Sequence, residues 1–278
     1  MRRFSINLKM IDVSIIIISY NTKDLTVQCI KSILEDTSGL SKEIIVIDNG
    51  SVDGSVETIR NYRVKLIENK ENLGFAKANN QGIKVAKGKY ILLLNSDTKI
   101  KKGAVMKLID FANINADAGV VGCRLINPDS TPQASVFRLP TIFRAIQQYW
   151  FGNKNLLDKY TPDVDHPVEV ESLVMAAFLI TPIALKKVGV LDERYFMYFE
   201  DLDYCRRVRH LGLKMYYLPA AEIVHHHGAS GEKTGKSSEA WKRLIPSSKI
   251  YHGTLKHNLF NFILWSGQKW KNLLNLHN

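Results

Sequence analysis

Cysteine is scarce in this sequence: 278 residues hold three, Cys29, Cys123 and Cys205, far apart and without a C-x-x-C pair. That spacing excludes a disulfide-built scaffold and a zinc ribbon, and it fits a reducing, cytoplasmic compartment. Long apolar runs are missing as well. None reaches the roughly 18 residues of a membrane span; "LVMAAFLITPIAL" (173–185) is too short and contains Pro182, so it reads as core. The basic opening "MRRFSINLKM" lacks the apolar stretch of a secretory signal, and the expectation is a protein that stays inside or on a surface facing the inside. No G-x-G-x-x-G fingerprint is present. "SGEKTGKSS" (230–238) comes near a phosphate-binding P-loop, but Ser230 stands where the first glycine is needed and Gly231 is one residue too close. The stretch therefore reads as a flexible polar loop, which argues against a nucleotide hydrolase built on Lys236. Acidic charge is also short, 27 Asp and Glu against 38 Lys and Arg, a net of +11. Such a balance favours partners carrying phosphate or an anionic lipid surface.

What is present is alternation. "VSIIIISY" (13–20) is a nearly continuous β-branched run, as expected of a strand buried on both faces. "DLTVQCIKSILED" (24–36) follows with Val27, Ile30, Ile33 and Leu34 at helical spacing. Strand and helix patterns then succeed one another: 43–51 and 55–62, 64–74 and 75–88, 90–98 and about 102–113, then the strand "GVVGC". This order predicts an α/β fold with a mostly parallel, Rossmann-like sheet and helices on both faces. From Asn127 to about Val168 the pattern weakens into a loop-rich linker. Beyond it, "VEVESLVMAAFLIT" returns to strand character, 182–196 gives a short helix and turn, and "KMYYLP" and "AEIVHHHG" are strand-like. Between them a helix over 201–211 is closed by Gly212, with Leu202, Cys205, Val208 and Leu211 inward.

Polar residues gather where strands stop: Asn21, Asp48 with Asn49, Asn72, and Asn95 with Asp97. Open parallel sheets bind ligands at those carboxyl ends. Each stretch alone has two readings. Asp48 and Asn49 form an Asx-turn, or Asp48 accepts from a ligand's ring imide or ribose. Asp97 caps a turn, or holds Mg2+ or Mn2+ together with a nucleotide diphosphate, since such ions keep few protein ligands. "VHHHG" (224–228) is a chance run or a metal tract; in a strand His225 and His227 share one face and His226 the other. "YFEDLDYCRRVRHLG" places Glu200, Asp201 and Asp203 before Arg206, Arg207 and Arg209, an order the helix macrodipole favours whether or not the acids do chemistry. The arginines read as a solvated face with i,i+4 partners.

Together, "SIIIISYN", "EIIVIDNGSVDGS", "ENLGFAKANNQGI", "YILLLNSDT", "MYFEDLDYCRRVRHLG" and "AAEIVHHHGAS" resemble, in that order, the family-2 glycosyltransferases, inverting enzymes of the GT-A fold, and most closely their rhamnosyltransferase-like branch. The resemblance covers about residues 12–230. It implies a catalytic domain over 1–230, with a nucleotide-binding half at about 12–125 and an acceptor half at about 165–230, followed by a basic loop and tail over 231–278. It implies a nucleotide-diphosphate sugar as donor, dTDP-rhamnose first, a saccharide or lipid-linked saccharide as acceptor, and no nucleic acid. Asn21, Asp48 and Asn49 would face the nucleoside, and Gly74, Phe75, Asn79 and Asn80 would shape the pocket. "NSD" (Asn95, Ser96, Asp97) matches the family's D-x-D motif, with Asn95 replacing the first acid and Asp97 as ligand to Mg2+ or Mn2+. His225 matches a histidine that completes the metal sphere in some relatives. Asp201 matches the general base, which helix-start amides would keep ionised, and Glu200 and Asp203 would position either the acceptor or the structure around it. A non-catalytic sugar-nucleotide-binding module is the rival, and the paired acids argue against it.

The tail "LKHNLFNFILWSGQKWKNLLNLHN" sets Leu259, Phe262, Ile263, Trp270, Leu273 and Leu274 on a helical stripe beside Lys256, Lys269 and Lys271, with Gly267 interrupting. An amphipathic segment on the anionic inner face of the cell membrane is one reading. A terminal helix docked on the catalytic domain or on a second subunit is the other.

Overall fold

A computed structural model describes residues 10–36, 39–226 and 241–275. The chain opens with β1 (Val13–Ser19), α1 (Lys23–Glu35), β2 (Lys42–Asp48), α2 (Ser55–Ile59), β3 (Lys65–Glu68), α3 (Phe75–Val85), β4 (Tyr90–Asn95), β5 (Thr98–Ile100) and α4 (Ala104–Ile114). It continues with β6 (Ala118–Ile126), β7 (Pro132–Gln133), β8 (Val136–Phe137), α5 (Ile142–Tyr149), β9 (Val168–Val170), β10 (Ser172–Leu173), β11 (Ala177–Ile180) and α6 (Pro182–Val188). Helix α7 (Glu200–His210), β12 (Lys214–His225), α8 (Trp241–His252) and α9 (Thr254–Asn275) complete the described chain.

The main sheet runs β3-β2-β1-β4-β11-β6-β12-β5. β1, β2, β3 and β4 are parallel, and β12 is parallel to β6, whereas β11 runs antiparallel to both β4 and β6. The β-branched run of β1 lies at the centre because both its faces are apolar. Ile15 and Ile17 enter one buried cluster with Ile30, Ile33 and Leu108, while Ile16 enters the other with Ala78 and Ile83. Each such side chain contributes about 1.5–3 kcal/mol by leaving water. Register then fixes the functional edge: Ser19 pairs with Asp48 and Ile18 with Asn95, so the polar ends of β1, β2 and β4 stop level. The chain moves outward from β1 to β2 and β3 and returns to β4 on the other side, which opens a crevice at those strand ends.

Several expectations change. The strand-like stretch over 168–181 divides into β9, β10 and β11. "KMYYLP" and "AEIVH" are one strand, β12, whose register shifts between Leu218 and Glu222. The linker contains α5, capped by the Thr141 hydroxyl, which accepts from the Arg144 N–H at 3.2 Å. Leu211 is 46% exposed rather than inward, because it is the C-cap residue of α7 and has left the helical stripe. Among the described residues no helix is long and apolar enough to cross a membrane. The P-loop-like stretch, His227 and Lys236 lie outside the described residues.

Candidate active site

The crevice is a cavity of about 270 Å³, lined among others by Tyr20, Thr22, Asn49, Asn72, Phe75, Asn95, Ser96, Asp97, Lys159, Met197, Glu200, Asp201 and His225. Acids separated by a hundred residues of sequence thus share one space.

The side built from the ends of β1 and β2 and the loop before α3 is tightly bonded. Asn49 is buried, its Oδ1 accepting from Asn69 Nδ2 at 3.0 Å and from the Leu73 N–H at 3.1 Å. Its amide donates to Asn72 Oδ1 at 2.9 Å and to the Gly74 carbonyl at 3.4 Å. One side chain thereby fixes the loop between β3 and α3. Asp48 does half of what an Asx-turn requires: Oδ1 accepts from the Ser51 N–H at 2.8 Å, while Oδ2 is buried with no hydrogen-bond partner among the described residues. Asn21 adopts φ 53° and accepts from the Val52 N–H at 2.8 Å, tying the turn after β1 to the turn after β2. Neither Asp48 nor Asn21 lines the cavity; Tyr20 and Thr22, on either side of Asn21, do.

Two proposed pocket residues are turned away. Asn79 Nδ2 donates to the Phe75 carbonyl within α3, and Asn80 bonds the Leu191 carbonyl and N–H across a buried contact. Both are consumed in holding α3, so they do not shape the cavity. Gly74 acts through proximity instead. A Cβ there would lie 2.6 Å from the Phe196 carbonyl oxygen, at φ +86°, and the next N–H, of Phe75, donates to that oxygen at 2.7 Å. This contact locks the start of α3 to the segment that precedes α7.

At the end of β4, Asn95 and Asp97 both face the cavity, with a turn rather than an extended segment between them. Asn95 Oδ1 is buried and has no hydrogen-bond partner among the described residues. Pairing of β12 with β5 sets His225 opposite Thr98 and carries its Nε2 to 3.3 Å from Asp97 Oδ1. On its other side, His225 Nδ1 lies 2.6 Å from Gln133 Oε1. The Gln133 amide nitrogen already donates to the His225 carbonyl and to Asn127 Oδ1, so its oxygen must face the ring. Nδ1 therefore carries a proton, and Nε2 is the ring atom turned toward Asp97. A proton or a cation between Nε2 and the carboxylate would hold the two at that separation.

That donor set fits a divalent ion. Among the described residues no group of three His, Cys, Asp or Glu gathers, so Asp97, His225 and the unpaired Asn95 oxygen would leave several positions for diphosphate and water oxygens, as Mg2+ and Mn2+ prefer.

The opposite wall is built with strain. Tyr198 and Phe199 sit at φ 72° and 69°, left-handed conformations that cost a non-glycine residue about 1–2 kcal/mol each. They turn the chain into α7 so that Glu200 and Asp201 face the cavity. Glu200 is buried, and its Oε2 has no hydrogen-bond partner among the described residues. Burial, and then the charge of Asp201, push its carboxyl up to about 8. Asp201 Oδ1 accepts from the Leu202 N–H at 2.8 Å. Burial raises Asp201 above the ordinary aspartate range, with that N–H and the Lys159 ammonium working against it. Helix-start amides were expected to hold this acid down; desolvation outweighs them.

Asp203 does not line the cavity. It is 4% exposed, and its carboxylate receives Arg206 and Arg207 at 2.8 Å each. These arginines are half-buried braces rather than a solvated face: Arg206 also bonds the Tyr251 carbonyl, and Arg207 the Val188 and Val190 carbonyls. Lys159, Met197 and Gln133 were missed by sequence reading, since all lie in or beside segments that read as loop.

Comparison with known proteins accords with this geometry. The model of the family described as Glycosyl transferase family 2 matches residues 14–167. An N-acetylglucosaminyl-diphospho-decaprenol L-rhamnosyltransferase of Mycobacterium tuberculosis is 29% identical over 208 residues, covering 67% of this chain and 67% of that one. The low-salt glycan biosynthesis hexosyltransferase Agl10 of Haloferax volcanii is 23% identical over 250 residues, covering 86% and 76%. Among solved structures, the mannosyltransferase PcManGT of Pyrobaculum calidifontis, in complex with GDP-Man and Mn2+, matches with a TM-score of 0.61 at 15% identity, over 92% of this chain and 73% of that one. The shared architecture is the GT-A fold.

Proposed function

The chain belongs to glycosyl transferase family 2, and on that premise we propose that it moves L-rhamnose from dTDP-rhamnose onto a lipid-linked saccharide in the synthesis of a cell-surface glycan. The name of the mycobacterial relative supports both the sugar and the lipid-diphosphate acceptor. The observation that carries the reaction is the shared cavity, with Asp97, Asn95 and His225 on one wall and Asp201 on the other.

In this reading Asn95, Asp97 and His225 hold Mg2+ or Mn2+, which when bound offsets the charge developing on the departing diphosphate. Asn49 and Gly74 keep the donor loop in place, and Phe75 and Tyr20 offer apolar surface to the nucleoside. Asp201 accepts the proton of the acceptor hydroxyl as its oxygen attacks the sugar opposite the leaving group, giving inversion in one displacement. Its raised affinity for protons makes it a better base than an exposed aspartate. Glu200, still protonated near neutrality, keeps a second negative charge away from Asp201 and offers an O–H to acceptor or sugar.

Relatives with other sugars keep a second reading in play, a transferase using a UDP- or GDP-sugar: the Pyrobaculum structure holds GDP-Man. A panel of dTDP-, UDP- and GDP-sugars, with and without Mn2+, separates the two by thermal shift and product mass. A metal-dependent shift and product with dTDP-rhamnose alone is the expected result; product only from a UDP- or GDP-sugar overturns the rhamnose assignment.

A further inference from the structure

The C-terminal helices carry an apolar surface that sugar transfer leaves unused. Helix α9 packs on the body by one stripe. His257 and Ile263 are buried there, and a Cβ at Gly267 would come within 2.6 Å of the Tyr149 carbonyl oxygen. The glycine that interrupts the apolar pattern is thus the point of closest approach to α5. Trp150 closes the joint, its indole N–H donating to the Ile263 carbonyl at 3.2 Å and to Ser266 Oγ at 3.0 Å.

At about 100° per residue, Leu255, Phe262 and Trp265 fall on the side of α9 turned away from Gly267, and Leu259 and Trp270 at the edge of the joint. They are exposed by 85, 54, 57, 44 and 56% in that order. On α5 and just after it, Phe143, Trp150 and Phe151 are also exposed, by 68, 42 and 74%. An apolar face of this extent marks an interaction site rather than scattered surface residues.

Charge identifies the partner. From Trp241 to Asn275 the sequence holds six Lys or Arg and no Asp or Glu. Lys269 lies against these side chains, its ammonium 6.0 Å from the Trp265 ring. A two-fold contact between copies through α9 would set this acid-free stretch against itself, whereas a bilayer with anionic headgroups neutralises it and accepts the aromatic side chains at its interface.

We propose that the α5–α9 face docks the protein on an anionic lipid bilayer, with Phe262, Trp265 and Trp270 entering the headgroup boundary and the surrounding lysines meeting lipid phosphates. The same segment braces the rim of the cavity. The Ser247 hydroxyl of α8 donates to the Met197 carbonyl at 2.8 Å, and the Tyr251 and Phe199 rings are 5.3 Å apart. Docking therefore fixes the membrane-bound part to the segment that aims Glu200 and Asp201. The proposal stands on exposure and charge and does not depend on the identity of donor or acceptor.

Flotation of the full chain with vesicles of phosphatidylglycerol and phosphatidylcholine, against phosphatidylcholine alone, at low and high salt, is the test. The expected result is partition onto the anionic vesicles only, weakened by salt, and lowered about tenfold or more by Phe262→Ser with Trp265→Ser at an unchanged melting temperature. Should that pair melt early, Leu255→Ser with Lys269→Gln makes the same comparison at solvent-facing positions. Absence of binding, equal binding to neutral vesicles, or binding untouched by the variants overturns the proposal. So does light scattering that shows a dimer dissolved by the same substitutions.

Discussion

The two walls of the cavity are built by opposite means. On the wall we assign to the donor, Asn49 alone makes four hydrogen bonds to Asn69, Leu73, Asn72 and Gly74, and the unpaired atoms, Asp48 Oδ2 and Asn95 Oδ1, sit at the strand ends. On the catalytic wall the backbone is strained at Tyr198 and Phe199, Glu200 keeps an unpaired oxygen, and two acids are pushed toward protonation. The loop bonded through Asn49 gives shape, and the unpaired atoms at the strand ends and at Glu200 hold the capacity to react. Fold stability and chemistry should therefore respond to different substitutions.

The largest effect belongs to the catalytic wall. Asp201→Asn keeps volume and the Leu202 contact but removes the base, so turnover should fall by about 10²–10⁴ while donor affinity measured by calorimetry stays within a factor of about two. Retained turnover would take Asp201 out of that role. Next comes Gln133→Leu, which frees the His225 ring to change tautomer. Mn2+ affinity, read by titration with nucleoside diphosphate present, should weaken about 10–100-fold; an unchanged affinity would show that His225 does not bind the ion.

Asn49→Ala tests the donor wall. It should cost about 2–3 kcal/mol in denaturant unfolding, because the Leu73 N–H and Asn69 amide lose a buried acceptor. A cost below about 0.5 kcal/mol would contradict the idea that this wall is the rigid one.

Glu200→Gln gives the clearest sign. The folded protein holds this proton up to about pH 8, whereas an ordinary glutamate releases it near 4.5. Between those values the unfolded chain binds fewer protons, so native stability falls as pH rises and the loss is complete above about 8. Removing the titration should leave the melting temperature unchanged at pH 4 and raise it by several degrees at pH 8. A gain of equal size at both pH values would mean that packing, not ionisation, is responsible.

The sequence exposed the strand ends because β1, β2 and β4 are uninterrupted apolar runs whose first polar residues mark the edge of the sheet. It was silent where long-range pairing decides. Nothing local in "AFLI" says that β11 enters between β4 and β6 in reverse, and nothing in the linker says that Lys159 reaches Asp201 or that Gln133 backs His225. Asn79 and Asn80 look like pocket residues because they follow "NLGF", yet Asn80 is claimed by Leu191, more than a hundred residues away. Asp203 could have been set apart sooner. Two residues along a helix turn a side chain by about 200°, so Asp201 and Asp203 cannot face the same space. The arginines that follow already named its partners.

The central claim is that a metal-held diphosphate and the base act within one cavity from separate walls. Calorimetric titration of dTDP-rhamnose into the wild type, Asp97→Ala and Asp201→Asn, each with and without Mn2+, tests it most directly. The account predicts that Mn2+ strengthens donor binding in the wild type and in Asp201→Asn but not in Asp97→Ala. Metal-enhanced binding that survives in Asp97→Ala, or that disappears in Asp201→Asn, would contradict it.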